Sequence, residues 1–447
     1  MIYVLVQKKK HSCLGIPILP ISAQVSTTCA NAAIVYNSQT MKSLLFLSLL
    51  AFSAAAQQSA ELDRKLSEKI VATLKQSGAA SVSIAVVKDG ELVFAKAFGM
   101  ANIAGNRAAD VNTRYAVGSI SKQFTATAIL LLAEQGKLSL DDKVSKYFPD
   151  LTRAGEVSIR QLLSHTSGYE DYAPQDYIIP EWTKPTTPQA ILDRWAKKLL
   201  NFDPGTRWQY SNTNYVLAGE IFENVSGRPL VEFLREKIFG PLDMRSAGDC
   251  AAPSATDAIA YTRYALGPAR PAAREASGWY FAAGELCMTP SDLARWDIAF
   301  LQKRILPAGS YHEITGEVRL ANGDFTHYAL GLETGDMRGI PTIYHGGEVS
   351  GFLALNTVFP TRNGAIVTLS NEDGISLIEP LSRQIATLVF SSESRRRRRR
   401  IPGRCGPFSS DCRKARWIVR CLPAMRTRTS ATPRSATVKF LLGRWEN

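Results

Sequence analysis

The order of hydrophobic and polar positions predicts a helix followed by a β-hairpin at the start of the central part of the chain. From about residue 59, apolar residues recur at near-helical spacing, which is typical of an amphipathic helix: Leu62, Leu66, Ile70 and Leu74. Two alternating runs follow in SVSIAVVKDGELVFAKAFG, joined through Asp89-Gly90. This dipeptide favours a tight hairpin turn, so both runs are predicted to be paired strands.

The pattern changes twice further along the chain. From Ser119 to about Asp336 it is mostly helical, with intervening loops rich in Pro, Gly, Ser and Asp. Strand patterns return in IPTIYHGG (340–347), and LALNTVFP and AIVTLSN predict a second hairpin through Asn363-Gly364. A last amphipathic helix, ISLIEPLSRQIATLVF, closes the region, and Pro380 is expected to start or bend it.

These elements predict an α+β fold. A helix and hairpin at one end, with strands and a helix at the other, indicate one antiparallel sheet that is built from both chain ends. Helices would flank this sheet, and a mostly helical lobe would be inserted between the two sets of strands. Active sites favour the cleft between such lobes.

The net charge of +13 is concentrated at the ends of the chain. Residues 395–447 contain sixteen Lys or Arg against two acids, and residues 1–40 add three lysines, so the central region is mildly acidic. A polybasic stretch would suggest nucleic acid or acidic lipid. The composition of residues 395–447 matches nothing upstream, however, and we predict a disordered or frame-shifted tail. An electrostatic anchor is the remaining alternative, and nucleic-acid binding is unlikely.

The segment MKSLLFLSLLAFSAAAQQ, from Met41, has the features of a secretory signal. Lys42 supplies the charged start, residues 44–52 the apolar stretch, and 54–56 a small-residue cleavage site. The stretch is shorter than the roughly 20 apolar residues of a membrane anchor. We therefore expect a signal peptide at 41–56, a periplasmic or secreted protein, and a non-native upstream extension at 1–40.

Cysteines are sparse in the central region, where only Cys250 and Cys287 occur. One disulfide is possible in an exported protein, but the sequence leaves open whether these two residues pair.

The first candidate for chemistry is GSISKQFTATAILLLAEQG (118–136), a predicted helix with Ser119 as its N-cap. Lys122 lies in the first turn, where the helix dipole disfavours a cation. Residues three apart share a helix face, so the amine is expected near the Ser119 hydroxyl. Burial and the dipole would lower the lysine pKa, and a neutral amine can activate a serine. By itself S-x-x-K is a weak signal.

Two further motifs accompany this pair. Tyr210-Ser211-Asn212 precedes an amphipathic helix; a tyrosine near a lysine can be stabilised as phenolate and relay protons, and Asn212 could hold the lysine or a substrate amide. His345-Gly346-Gly347 ends a strand pattern, where paired glycines admit a substrate backbone and the next amide can face an oxyanion. Taken singly, Tyr210 would be a core aromatic and the glycines a bend.

In this order, S-x-x-K, Y-x-N and H-x-G resemble the three motifs of the serine β-lactamase and penicillin-binding protein superfamily, and most closely its class C β-lactamase-like branch. The resemblance covers about residues 62–391. It extends to GKLSLDDKVSKYFPDL (136–151), IRQLLSHTSGY (159–169) and MTPSDLARW (288–296). It implies a β-lactamase/transpeptidase-like fold, and we place the hydrolase domain at residues 57–394.

The resemblance also implies a role for each motif residue. Ser119 would be the acylated nucleophile, Lys122 its base or proton relay, and Tyr210 a partner in proton transfer. The acyl-side amide would be bound by Asn212, and the other flank of the substrate by His345, Gly346 and Gly347. Backbone N–H groups of Ser119 and Glu348 would form the oxyanion hole. His165, in LSHTSG, invites a Ser-His triad, but the resemblance makes it a structural turn residue.

The third motif departs from the Lys-Thr-Gly of many family members. A mostly neutral imidazole at 345 is a weaker partner for a substrate carboxylate, and the carboxylate of Glu348 would repel one. We therefore expect a serine hydrolase acting on β-lactam, ester or D-amino-acid-peptide substrates, small or derived from peptidoglycan, with the last two types favoured. The alternative is a peptidoglycan or penicillin sensor without turnover. No cofactor or metal is expected, since H-E-x-x-H spacing is absent from the sequence, and no membrane contact beyond the export signal.

Overall fold

The computed structural model describes residues 38–175, 178–265 and 267–390, with side chains from residue 57 onward. All of these residues belong to the first of the two units into which the chain divides at Ser394. The basic tail and nearly all of the predicted upstream extension lie outside the described residues, so those two predictions stay predictions.

The elements found in the described ranges follow. The α-helices are α1 Ser38–Ser77, α2 Ser121–Glu134, α3 Ile159–Leu163, α4 Pro188–Ile191, α5 Asn212–Ser226, α6 Leu230–Leu234, α7 Pro290–Leu301, α8 Ala308–Thr315 and α9 Ile378–Phe390. The strands are β1 Ser81–Lys88, β2 Glu91–Asn102, β3 Arg107–Ala108, β4 Tyr115–Ala116, β5 Gly248–Asp249, β6 Tyr261–Thr262, β7 Arg270–Pro271, β8 Leu286–Met288, β9 Glu333–Met337, β10 Ile340–Val349, β11 Phe352–Phe359 and β12 Gly364–Ser370.

The main sheet confirms the prediction that strands from both ends of the chain pair. Within the described part of the chain its order is β3-β2-β1-β12-β11-β10-β9, and neighbouring strands are antiparallel. At its centre Val82 lies between Phe98 of β2 and Ser370 of β12. Both predicted hairpins form, because their alternating runs are joined by residues that accept the tight turns: Asp89 and Asn363 both have positive φ.

Each face of the main sheet packs against helices. On the outer face, α1 and α9 cover a compact cluster that includes Leu66, Ile84, Ile366 and Ile385. On the inner face, α7 lies against β1, β2 and β12 and joins the sheet to the helical lobe. The apolar periodicity of the terminal helices therefore reflects burial against strands, as expected for amphipathic helices.

The structure corrects several boundaries. The first helix begins at Ser38, well before residue 59, and continues through the predicted signal segment at 41–56. The strand predicted at 340–347 reaches Val349, and Pro380 lies in the first turn of α9, where a proline is tolerated. Among the described residues, no helix is both long and apolar enough to cross a membrane.

The mostly helical region also contains short strands that the sequence pattern did not show. Strands β4, β8 and β5 form a small sheet next to the start of α2. Cys250, immediately after β5, forms a disulfide with Cys287 of β8, with the two Cα atoms 5.0 Å apart. The bridge thus fixes the strand that precedes α7 to its neighbour in this small sheet.

Candidate active site

Ser119 lies in a 3-10 turn, Gly118–Ile120, directly before α2. The expectation that it caps the helix is wrong: the N-cap position belongs to Ile120, and no side chain caps that end of the helix. Instead the Ser119 hydroxyl oxygen lies 2.8 Å from the Lys122 amine and 2.8 Å from the Tyr210 hydroxyl. The serine is partly exposed and lines a cavity.

Lys122 is completely buried, and its amine has three oxygen partners at 2.8 Å: Ser119 Oγ, Asn212 Oδ1 and the carbonyl oxygen of Ala283. Burial lowers the pKa of Lys122 to about 7, against the opposing influence of the Asp171 charge. Two of the partners are carbonyl oxygens that only accept hydrogen bonds. A neutral amine would therefore direct its two N–H bonds to them and its lone pair to the Ser119 hydroxyl.

Tyr210 approaches the same serine from the loop before α5. Its hydroxyl donates a hydrogen bond to Ser119 Oγ, and the Lys122 amine lies 4.9 Å from the centre of its ring. The suggestion that the lysine stabilises a phenolate is not supported, because burial raises the pKa of Tyr210 above its ordinary value. At neutral pH the phenol is therefore protonated and can act as a proton donor.

Asp171 is a residue of the site that the sequence analysis missed. Its carboxylate accepts hydrogen bonds from the backbone N–H of Asn212 at 2.8 Å and of Ala173 at 3.2 Å, and the Asn212 side-chain amide lies 3.4 Å away. These contacts turn the Asn212 carbonyl oxygen toward Lys122. Burial raises the pKa of Asp171. No motif marks this residue, because it acts through Asn212.

The third motif brings β10 against the turn that carries Ser119. A Cβ atom added to Gly347 would lie 1.9 Å from the carbonyl oxygen of Val117, and one on Gly118 would lie 2.8 Å from the Glu348 nitrogen. The backbones of Ser119 and Glu348 are thus neighbours, as the predicted oxyanion hole requires. Gly346 is not under this steric constraint, since the nearest atom to its added Cβ is 4.0 Å away.

The two histidines occupy different positions around this centre. His345 lines the cavity beside Gly346 and Gly347, and burial lowers its pKa to about 3, so it is neutral at pH 7. His165 is fully buried behind Tyr210, with ring centres 4.3 Å apart, and its ring nitrogens face Ser211 and Tyr328. His165 therefore does not serve as the base of a Ser-His triad.

The cavity in front of Ser119 has a volume of about 1230 Å³ and is strongly acidic. The described residues that line it include seven carboxylates but a single arginine, Arg383, which is paired with Glu379. The seven are Asp171, Glu275, Glu333, Asp336, Glu348, Asp373 and Glu379. In the part of the chain that the structure covers, no group of His, Cys, Asp or Glu side chains is arranged to hold a metal ion.

The chain is similar to known proteins over most of its central region. The Beta-lactamase family matches residues 66–385. The chain is 29% identical to penicillin-binding protein 4* of Bacillus subtilis over 333 residues, 69% of this chain and 72% of the relative. It is also 29% identical to a D-aminopeptidase of Brucella anthropi over 280 residues, 60% of this chain, but it spans only about half (52%) of that relative's length.

Solved structures show the same fold. The D-stereospecific amidohydrolase from a Streptomyces species superposes with a TM-score of 0.62 at 26% identity, over 73% of this chain and 98% of the other. This likeness covers most of the part of the chain that the structure describes. The match over most of the central region, joined to the arrangement of Ser119, Lys122 and Tyr210, shows that the chain belongs to the beta-lactamase family of serine hydrolases and penicillin-binding proteins.

Proposed function

We propose that the protein hydrolyses amides and esters of D-amino acids that keep a free amino group, through an acyl-enzyme on Ser119. The observation that carries this proposal is the Ser119 hydroxyl, which lies 2.8 Å from both the Lys122 amine and the Tyr210 phenol. A nucleophile within hydrogen-bonding distance of a base and of a proton donor is what acyl transfer needs.

Acylation follows from the partners of Lys122. The neutral amine takes the Ser119 proton as the serine oxygen bonds to the substrate carbonyl carbon. The carbonyl oxygen becomes an oxyanion, which the adjacent backbone N–H groups of Ser119 and Glu348 would stabilise. The Tyr210 phenol gives its proton to the leaving nitrogen or oxygen as the carbonyl–leaving group bond breaks, and the Lys122 ammonium replaces that proton.

Deacylation uses the same groups in reverse. Tyr210 takes a proton from water as the water oxygen attacks the ester carbon, and passes its own proton to the neutral Lys122 amine. The Lys122 ammonium then gives a proton to Ser119 Oγ as the bond between that oxygen and the acyl carbon breaks and the acid leaves. The Ala283 carbonyl and Asn212 hold the amine in place through both half-reactions, since each lies 2.8 Å from it. Their fixed positions reduce the reorganisation that each proton transfer would otherwise require.

The charge of the cavity supports the substrate class. Its carboxylates would repel the carboxylate of a β-lactam and attract a substrate ammonium group. His345 is neutral at the position where many relatives have a lysine, so no cation there offsets the repulsion. The resemblance to a D-aminopeptidase and to a D-stereospecific amidohydrolase supports the D-configuration. We also propose that the signal segment directs the protein out of the cytoplasm.

The test compares four chromogenic substrates on the purified full-length protein: a D-alanine nitroanilide, its L-enantiomer, its N-acetylated form and a penicillin-type chromogen. We expect the free-amine D-compound to have the highest kcat/KM. Labelling by a serine-reactive phosphonate, read by mass spectrometry, should disappear in Ser119→Ala. It should persist in the matched control Ser121→Ala, whose hydroxyl accepts a hydrogen bond from the Leu286 N–H instead.

Each outcome bears on a separate part of the proposal. Labelling that survives Ser119→Ala would exclude the acyl-enzyme. Equal rates for the free and N-acetylated compounds would exclude recognition of the ammonium group. Stoichiometric acylation with no product release would favour the penicillin or peptidoglycan sensor over an enzyme.

A further inference from the structure

The structure holds a buried chain of hydrogen bonds that connects the two histidines through Tyr328. His165 Nε2 lies 3.2 Å from the Tyr328 hydroxyl, which lies 2.9 Å from His345 Nε2. All three side chains are almost completely buried, with exposures of 0%, 1% and 3% for His165, Tyr328 and His345. None of the three belongs to the set of groups that transfer protons in the proposed reaction.

The neighbours of His165 determine its tautomer. The backbone N–H of Ser211 donates to Nδ1 at 3.2 Å, and the side-chain amide nitrogen of Asn214 lies 3.4 Å from the same atom. Asn214 is oriented this way because its carbonyl oxygen accepts a hydrogen bond from Ser167. With donors facing Nδ1, the proton of a neutral ring must be on Nε2, which then donates to the oxygen of Tyr328.

His345 must carry its proton on the other nitrogen. Its Nδ1 lies 2.5 Å from the carbonyl oxygen of Gly346, which only accepts hydrogen bonds. Its Nε2 is therefore the acceptor, and the Tyr328 hydroxyl is the donor. The neighbouring Tyr215 is not the donor in its contact with Tyr328, since its own hydroxyl donates to the Leu163 carbonyl at 2.7 Å; it is a second acceptor beside His345 Nε2.

We infer that Tyr328 is a positioning residue that holds His165 and His345 in opposite tautomers and fixes both rings at the active site. The His165 ring supports Tyr210, whose ring centre lies 4.3 Å away. The His345 ring belongs to the first residue of the third motif, so the hydrogen bond from Tyr328 fixes that residue on β10. The Tyr328 hydroxyl thus ties the loop that presents the proton donor to the strand that faces the substrate. The effect of Tyr328 on the acylation of Ser119 rests on the proposed function, whereas the inferred tautomers of His165 and His345 rest on the hydrogen bonds alone.

The first experiment needs no variant. Long-range proton–nitrogen correlation NMR of the full-length protein with 15N-labelled histidine should show His165 with its proton on Nε2 and His345 with its proton on Nδ1. The sequence contains only five histidines, and single His→Gln variants serve to assign the signals. Both rings protonated on Nε2, or either ring doubly protonated at pH 7, would overturn the inference.

The second experiment replaces only the hydroxyl, in Tyr328→Phe. The Nε2 signal of His345 should shift, and the rate of phosphonate labelling of Ser119 should fall about tenfold, the loss expected when a buried hydrogen bond of ordinary strength is removed. The matched control is Tyr311→Phe, which removes another buried hydroxyl, one that accepts the backbone N–H of Ile305 at 2.9 Å. The control should change neither the histidine signals nor the labelling rate.

The two proposals fail in different ways. An unlabelled wild-type Ser119 would refute the acyl-enzyme while leaving the tautomer measurement to decide the role of Tyr328. Unchanged histidine signals and unchanged labelling in Tyr328→Phe would refute the positioning role even with Ser119 fully reactive.

Discussion

Replacing Asp171 by asparagine should shift the pH dependence of the Ser119 labelling rate toward lower pH. The carboxylate favours the charged form of Lys122, opposing the burial that lowers the pKa of the lysine to about 7. Asparagine has nearly the same shape and keeps an oxygen for the backbone N–H groups of Asn212 and Ala173. The substitution therefore removes a charge while the hydrogen bonds of the loop are largely retained.

The size of the shift in the Lys122 pKa follows from the distance between the Lys122 and Asp171 charges. Asn212 bridges them, with contacts of 2.8 Å to Lys122 and 3.4 Å to Asp171. Unit charges about 8 Å apart interact by about 2 kcal/mol at an effective dielectric constant of ~20, or about 1.5 pKa units. Water in the cavity screens part of this interaction, so we expect the pKa of Lys122 to fall by about one unit.

The assay is the rate of Ser119 labelling by a neutral phosphonate between pH 5 and 9. In the proposed mechanism the neutral Lys122 amine is the base, so the wild-type rate should rise with pH and reach its midpoint near pH 7. In Asp171→Asn the midpoint should lie about one unit lower, which makes labelling at pH 6 roughly fivefold faster because about half of the amine is then neutral. At pH 9, where the amine is neutral in both proteins, the variant should gain nothing.

The matched control is Glu379→Gln, a carboxylate at the same cavity that is paired with Arg383. Its midpoint should equal that of the wild type. A midpoint that stays fixed in Asp171→Asn, or rises, would refute the assignment of Lys122 as the base whose charge Asp171 stabilises. An equal shift in both variants would show that only the summed charge of the cavity matters.

Three further predictions concern packing, buried charge and the disulfide. Gly347→Ala should reduce phosphonate labelling at least a hundredfold, because its Cβ would clash with a backbone carbonyl 1.9 Å away; Gly346→Ala, with nothing nearer than 4.0 Å, should label normally. Asp297 is fully buried, one of its carboxylate oxygens lacks a partner among the described residues, and burial raises its pKa to about 8. The folded protein thus keeps a proton on Asp297 that the unfolded chain loses near pH 4, so the free energy of unfolding should decline from pH 5 to 8. In urea unfolding, Asp297→Asn should show a smaller decline over this pH range than the wild type. An equal decline in both proteins would contradict the prediction. The double variant Cys250→Ser/Cys287→Ser should lose about 2–4 kcal/mol of unfolding free energy in the same assay, whereas a loss below 1 kcal/mol would show that the bridge adds little.

The parts of the fold that could be predicted were those encoded in local patterns. The two hairpins combine alternating apolar residues with turn residues such as Asp89 and Asn363, so both strands and connection are visible in one short window. The i,i+3 spacing likewise placed Lys122 near Ser119. By contrast, β4 and β5 contain two residues each, too few for any period, and ETGDM of β9 contains no alternation of apolar residues.

The missed parts of the site depend on contacts between distant segments. Asp171 acts on Lys122 through Asn212. Tyr328 joins His165, in the turn after α3, to His345 on strand β10. Neither Asp171 nor Tyr328 therefore has a spacing that the sequence could reveal. Ser119 fits the N-cap pattern but makes its hydrogen bonds elsewhere, because in the folded protein its hydroxyl contacts the Lys122 amine and the Tyr210 hydroxyl. The sequence indicated one carboxylate at the cavity, Glu348. The carboxylates of four other segments could not be predicted, because only the fold brings those segments to the same cavity.

The pairing of β1 with β12 sets the order of events when the protein is made. Val82 meets Ser370, so the central ladder cannot close until the ribosome has released nearly all of the domain. In the nascent chain, the β1 edge of the first hairpin therefore stays unpaired and exposed while the intervening lobe is synthesised. Such distant pairing slows folding, because the long intervening chain must be ordered before the central strands gain their contacts.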